Sequence, residues 1–170
     1  MMVSASPSIY IPLDYAAEKY NLSKNALLER VKSGRIASAQ LPNGEYLVAE
    51  NDVDPSLNIR REDFKHLQGK KIGIAEAGRK YSLDATTVSN WTTNGYIQIL
   101  VTPKVRGQKK LVNEADVAYC AAIYHAKAKL YDGQLTGVRI FDEDGNPYQT
   151  KDPEIAAYKR AHRRRERKKS

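Results

Sequence analysis

Apolar and small residues along this chain follow a pattern that is written twice. Ile11, Ala16, Lys19, Tyr20 and Leu22 recur unchanged as Ile72, Ala77, Lys80, Tyr81 and Leu83, at a constant offset of 61 residues. The same offset carries Gly34 onto Gly95 and Ile36 onto Ile97. It then grows to 64, so that Leu47-Val48-Ala49-Glu50-Asn51-Asp52-Val53 falls on Leu111-Val112-Asn113-Glu114-Ala115-Asp116-Val117. One insertion of three residues accounts for the change. It lies where both copies carry turn residues, Pro42-Asn43-Gly44 in the first and 103–107 in the second, so the second copy has the longer loop between equivalent elements.

Each copy predicts a helix, a tight turn, a second helix, a hairpin and the start of a further helix. Ala16 and Tyr20, like Ala77 and Tyr81, are four residues apart on one helical face, and the small alanine admits a second helix closely. Ser23 and Asp84 are suited to cap that second helix, with Leu27 and Val31, or Val88 and Trp91, turned inward. Gly34 and Gly95 supply the left-handed position that ends it. Hairpins are expected from 35–41 with 45–48 around Asn43-Gly44, and from 96–101 with 109–112 around the longer loop.

Asn113 with Asp116 predicts the cap of a last helix that runs to about Asp132 and stops at Gly133. Its apolar stripe is Val117, Cys120, Tyr124, Ala128 and Tyr131. Pro55 cuts the equivalent helix of the first copy short. Residues 55–71 become a connector with a short helix near 62–67. Beyond Gly133, 138–141 and 148–150 predict a further hairpin about Asp142-Glu143-Asp144-Gly145. Asp152-Pro153 then opens a basic helical or disordered tail, 151–170. The expected fold class is α+β, mainly helical with small hairpins: two tandem domains, 9–54 and 72–133, followed by the 134–150 hairpin and the tail.

Charge sharpens the picture. The net charge is +8, but the last twenty residues hold nine Lys or Arg against three acids, which leaves only +2 for the first 150. No apolar run approaches the length of a membrane span, and residues 1–8 lack a basic stretch followed by an apolar one, so a cytoplasmic, nucleoid-associated location is expected. A single cysteine, Cys120, and the scattered His66, His125 and His162 have no metal-ligand spacing. No carboxylate dyad, phosphate loop or nucleophile pattern points to catalysis, and no cofactor or metal is expected.

The run Leu13-Asp14-Tyr15-Ala16-Ala17 to Leu22-Ser23, then Leu27, Val31 and Ser33-Gly34-Arg35-Ile36, resembles the excisionase and MerR-like winged helix-turn-helix group. So does Ile74-Ala75-Glu76-Ala77 to Leu83-Asp84, then Val88-Ser89-Asn90-Trp91 and Asn94-Gly95-Tyr96-Ile97. The likeness covers roughly residues 9–54 and 70–132. Arg30 departs from the apolar residue that stands at Trp91 in the second copy. The resemblance implies that the second helix of each copy enters a major groove while the hairpin wing lies on the backbone or the narrow groove.

On that reading the first copy presents Lys24, Asn25, Leu28, Glu29, Lys32 and Arg35 to DNA, and the second presents Thr86, Ser89, Asn90 and Thr93. Asn25 and Asn90 suit adenine and Glu29 suits cytosine, each good pair discriminating by ~1–3 kcal/mol. Lys24, Lys32 and Arg35 would hold phosphate. Lys104, Arg106, Lys109 and Lys110 around Gly107 form a basic wing, and Arg163, Arg164 and Arg165 a sequence-independent arm. Trp91, Tyr20, Tyr81 and Cys120 read as core residues, and Asp142 to Asp144 as a solvated turn. The expected partner is double-stranded DNA, with the stripe from Val117 to Tyr131 as a homodimer seam and a role in transcription control or recombination. A phage or mobile-element packaging protein, such as a terminase small subunit, is the competing expectation, as is a protein-docking winged helix.

Overall fold

The computed structural model of the protein describes residues 7–154; the tail arginines Arg163, Arg164 and Arg165 lie outside them. Both copies open on a strand that the hydrophobic pattern did not mark. In the first copy β1 (Tyr10–Pro12) runs directly into α1 (Leu13–Tyr20), followed by α2 (Lys24–Lys32), β2 (Ser38–Gln40), β3 (Tyr46–Ala49) and the four-residue α3 (Glu50–Val53). In the second, β4 (Lys71–Gly73) leads to α4 (Ile74–Lys80), α5 (Ala85–Thr93), β5 (Ile99–Val101), β6 (Leu111–Asn113) and the long α6 (Glu114–Leu130). Two 3-10 segments, Pro55–Asn58 and Arg61–Leu67, occupy the connector.

The result is a mixed α and β fold with two small antiparallel sheets, ordered β1-β3-β2 and β4-β6-β5. Val48 pairs with Ile11 on one side and Ser38 on the other, and Val112 with Ile72 and Ile99. Each valine sits at the middle of its sheet and is fully buried.

The described residues divide into two units, 7–54 with 149–154, and 55–148. In the first, Leu13, Ala16, Tyr20, Leu27, Ile36, Val48 and Val53 are buried. In the second, Ile72, Ala77, Val88, Trp91, Ile97, Val112, Val117, Cys120, Ile123 and Phe141 form one apolar cluster.

The duplication extends to single hydrogen bonds. The tight turns after α1 and α4 place Asn21 (φ 52°) and Ser82 (φ 54°) in the left-handed region. Leu22 N–H then reaches Ala17 O, and Leu83 N–H reaches Gly78 O, both at 2.8 Å. Asp52 accepts the Ala37 N–H (2.8 Å) and Asp116 the Gln98 N–H (3.0 Å), tying the start of α3 or α6 to the strand entry. Gly34 (φ 75°) and Gly95 (φ 81°) end α2 and α5 as the sequence predicts.

Two capping expectations are corrected. Ser23 stands at the start of α2 without a side-chain cap bond. Asn113 does not cap α6: its Oδ1 accepts the Gly69 N–H at 3.1 Å and its Nδ2 donates to Gln68 and Asp116, so the buried amide stitches the connector to the sheet. The 134–150 segment reverses about 142–145 as expected, as a minimal antiparallel pairing: one bridge, Phe141 to Pro147, flanked by the Asp142 N–H to Asn146 carbonyl and Tyr148 N–H to Ile140 carbonyl bonds, both 2.9 Å, without named strands. Asp142 Oδ1 accepts the N–H groups of Asp144 and Asn146, which holds the turn in shape.

The stripe expected as a dimer seam is covered in part. Helix α6 is buried on more than one face, because the two 3-10 segments of the connector lie against it as well as the core. Val117 and Cys120 are fully buried, while Tyr124, Ala128 and Tyr131 of the same stripe are half-buried. Burial also pushes the Cys120 thiol up to about 12, so it behaves as a small apolar side chain.

Candidate nucleic-acid interface

The residues expected to meet DNA lie on α2, on α5 and on the β5–β6 loop. Packing decides which side of each helix is free. Leu27 is fully buried and Val31 half-buried beneath α2, leaving Lys24, Asn25, Glu29 and Lys32 exposed, with Arg35 exposed in the loop that follows. Leu28 is half-buried. It lines a groove of about 280 Å³ with Pro12, Leu13 and Tyr46, together with the carboxylate residues Asp14 and Glu45. Lys24 Nζ lies 3.1 Å from Asp14, both side chains largely exposed, so part of the positive charge of α2 is offset locally.

Helix α5 presents a different surface. Val88 and Trp91 face the core, while Thr86, Asn90 and Thr93 are exposed and Ser89 is half-buried. Thr93 Oγ1 donates to the Ser89 carbonyl at 3.1 Å, so the exposed Thr93 hydroxyl offers its lone pairs outward. Asp84 caps the helix through the Thr86 N–H at 2.7 Å, and that bond holds its carboxyl below the usual carboxylate range. A fixed negative charge thus occupies the α5 N-terminus. The two helix starts therefore differ: α2 begins at an uncharged Ser23 whose side chain makes no cap bond, α5 at an anion.

The β5–β6 loop carries the densest positive charge among the described residues. Lys104, Arg106 and Lys109 are exposed and Lys110 is half-buried. No acid occurs from 102 to 113, and none of the four cations makes an ion pair among the described residues. Gly107 at φ 90° lets the chain reverse over Val105 to Gln108, closed by the Gln108 N–H to Val105 carbonyl bond at 3.2 Å.

A repeated polar latch holds each unit behind these surfaces, and only the pairing of Glu50 with Glu114 in the repeat signalled it. Glu50 Oε1 accepts from Lys19 (2.5 Å) and from the Tyr20 hydroxyl (2.7 Å). Glu114 accepts in the same way from Lys80 and from the Tyr81 hydroxyl (2.8 Å). The Lys80 bond holds the Glu114 carboxyl below its ordinary range. Burial, then the bond to Glu114, pushes the Tyr81 phenol up.

Glu114→Ala is expected to cost about 2–3 kcal/mol, because the partly buried Tyr81 hydroxyl loses its acceptor. Lys80→Ala, at the half-exposed end of the latch, is expected to cost under ~1 kcal/mol. The pH dependence follows from the signs. Glu114, lowered on folding, contributes stability above about pH 4.3 that is lost as pH falls through its depressed value; Tyr81, raised on folding, contributes stability that is lost as pH rises past about 10. Chemical denaturation followed by circular dichroism across pH checks both. A flat acid limb in the wild type would contradict the latch.

Comparison with protein-family models, curated proteins and solved structures finds no match for this chain. Among the described residues no group of His, Cys, Asp and Glu is arranged to hold a metal ion, and no helix is long and apolar enough to cross a membrane.

Proposed function

We infer that the chain binds double-stranded DNA through two tandem winged helix-turn-helix modules, with α2 and α5 as reading helices and the β2–β3 and β5–β6 connections as wings. The observation that carries this reading is the β5–β6 loop: four cations within seven residues, none paired with an acid among the described residues, on the same unit as a helix whose exposed side chains are uncharged hydrogen-bonding groups. Charge on the wing supplies affinity that ignores sequence; Thr86, Asn90 and Thr93 supply discrimination. The two helices differ at every exposed position, so one chain reads an asymmetric site. Regulation of transcription and an accessory task in recombination both use such a protein.

The test is mobility shift on fragments selected from random duplex DNA. Combining Thr86→Ala with Asn90→Ala is expected to flatten the preference for the selected site by about tenfold, equivalent to ~1–3 kcal/mol, while leaving binding to random duplex nearly unchanged. Equal losses on selected and random DNA would defeat the assignment of α5 as a reading helix.

A further inference from the structure

We propose that Val105 is an apolar tooth at the tip of the β5–β6 wing, which enters the narrow groove of duplex DNA, partly opens one base step and bends the duplex. The inference rests on the DNA-binding reading above and adds a second kind of readout to it. At 70% exposure Val105 is the most exposed of the large apolar side chains in the described residues. A lone exposed valine elsewhere would need no account. This one is mounted. Its carbonyl accepts the Gln108 N–H (3.2 Å), and the Gln108 side chain reaches back to accept the Lys104 N–H at 2.8 Å. Those two bonds tie both ends of the tip, and the β-branched side chain has few rotamers to lose, so little ordering remains to be done on binding.

Surroundings match the task. Lys104 and Arg106 flank the valine in sequence, with Lys109 and Lys110 following, so cations stand ready for the phosphates on either wall of a narrow groove. The corresponding turn of the first copy, Leu41 to Gly44, also begins on an apolar residue, but Leu41 is only 36% exposed and no cation flanks it. The longer second wing therefore differs in lifting its apolar residue further out and in surrounding it with cations. Apolar wedges cost unstacking energy, which is smallest at TA and CA/TG steps, so a tooth converts step flexibility into preference without touching base edges.

The experiment measures bending by energy transfer on end-labelled duplexes about 30 base pairs long, carrying either a central TA step or an A-tract, at about 50 mM salt. With the full chain, the TA duplex is expected to bend by ~20–40° and to bind about fivefold more tightly than the A-tract. Val105→Thr keeps the shape but adds a hydroxyl, and Val105→Ala removes the tip; each is expected to halve the bend or more and to erase the step preference. Binding of the A-tract should stay within about twofold. Wild-type bending and step preference retained in both variants would overturn the tooth while leaving DNA binding intact. A wild-type chain that binds neither duplex would overturn both readings.

Discussion

Replacing Trp91 by alanine is expected to lower the stability of the second unit by about 3–5 kcal/mol, the largest single loss available in the described fold. The indole is 8% exposed, and it packs edge-on against Phe141 (5.2 Å between ring centres) and Tyr124 (5.7 Å). Such aromatic pairs add ~0.5–1.5 kcal/mol each beyond the area they bury. Three separate segments meet at this ring: α5, α6 and the 138–148 turn. Removing it leaves a cavity that small rotamer changes cannot fill, because Tyr96 and Phe141 are already in contact (5.1 Å) on the far side.

The corresponding position in the first copy is Arg30, which is half-buried. Arg30→Ala is therefore expected to cost under about 2 kcal/mol, since it removes a half-buried polar side chain rather than a core ring. Thermal unfolding followed by far-ultraviolet circular dichroism measures both. A melting temperature reduced by more than about 10 °C in Trp91→Ala is the expected outcome, since ~4–8 °C accompanies each kcal/mol in a domain of this size. A shift under about 4 °C would mean that the aromatic cluster is not the core of that unit.

Neutralising the wing is expected to give the largest functional effect. With Lys104, Arg106, Lys109 and Lys110 all changed to alanine, affinity for duplex DNA at about 0.1 M salt should fall by ~10²–10³, and the slope of log K against log salt should flatten by about 3–4. Selected and random sequences should lose alike, in contrast to the Thr86 and Asn90 variant. The reason lies in where the charge is: outside the 151–170 segment the chain carries a net +2, and this loop holds four cations with no acid from 102 to 113 and no ion pair among the described residues. On α2, by contrast, Lys24 is paired with Asp14 and Glu29 lies between the cations. Unchanged affinity and slope in the quadruple variant would move the contact surface away from the wing. All four side chains lie on or beside an exposed loop, so folding should be preserved, with a melting curve as the control.

Much of the candidate interface was legible because it depends on local rules. Helical spacing put Leu27, Val88 and Trp91 inward, and so left Lys24, Asn25, Thr86 and Asn90 outside, as found. Leu28 was harder. Periodicity placed it beside the exposed residues, but it is half-buried and lines a groove whose other wall includes Gly44 and Glu45 of the β2–β3 turn. The caps divided: Asp84 accepts the Thr86 N–H as its sequence position predicts, whereas Ser23 at the equivalent place makes no cap bond.

By itself the chain's order of residues determined the duplication, the two helix pairs, the glycines that end α2 and α5, the turns at Asn43-Gly44 and Gly107, and the apolar character of Cys120. All of these depend on neighbours within a few positions, where spacing and backbone preference act directly. Only the tertiary structure decided the strands β1 and β4, which are three residues long and thus too short to show alternation; each exists because β3 or β6, far along the chain, supplies its hydrogen bonds. It also decided the Glu50 and Glu114 latches, the burial of Lys127 with its ammonium donating to the Tyr148 carbonyl (2.9 Å), and the closure of α6 on more than one side. These join groups remote in sequence, and no local periodicity specifies which remote partner a polar side chain will meet.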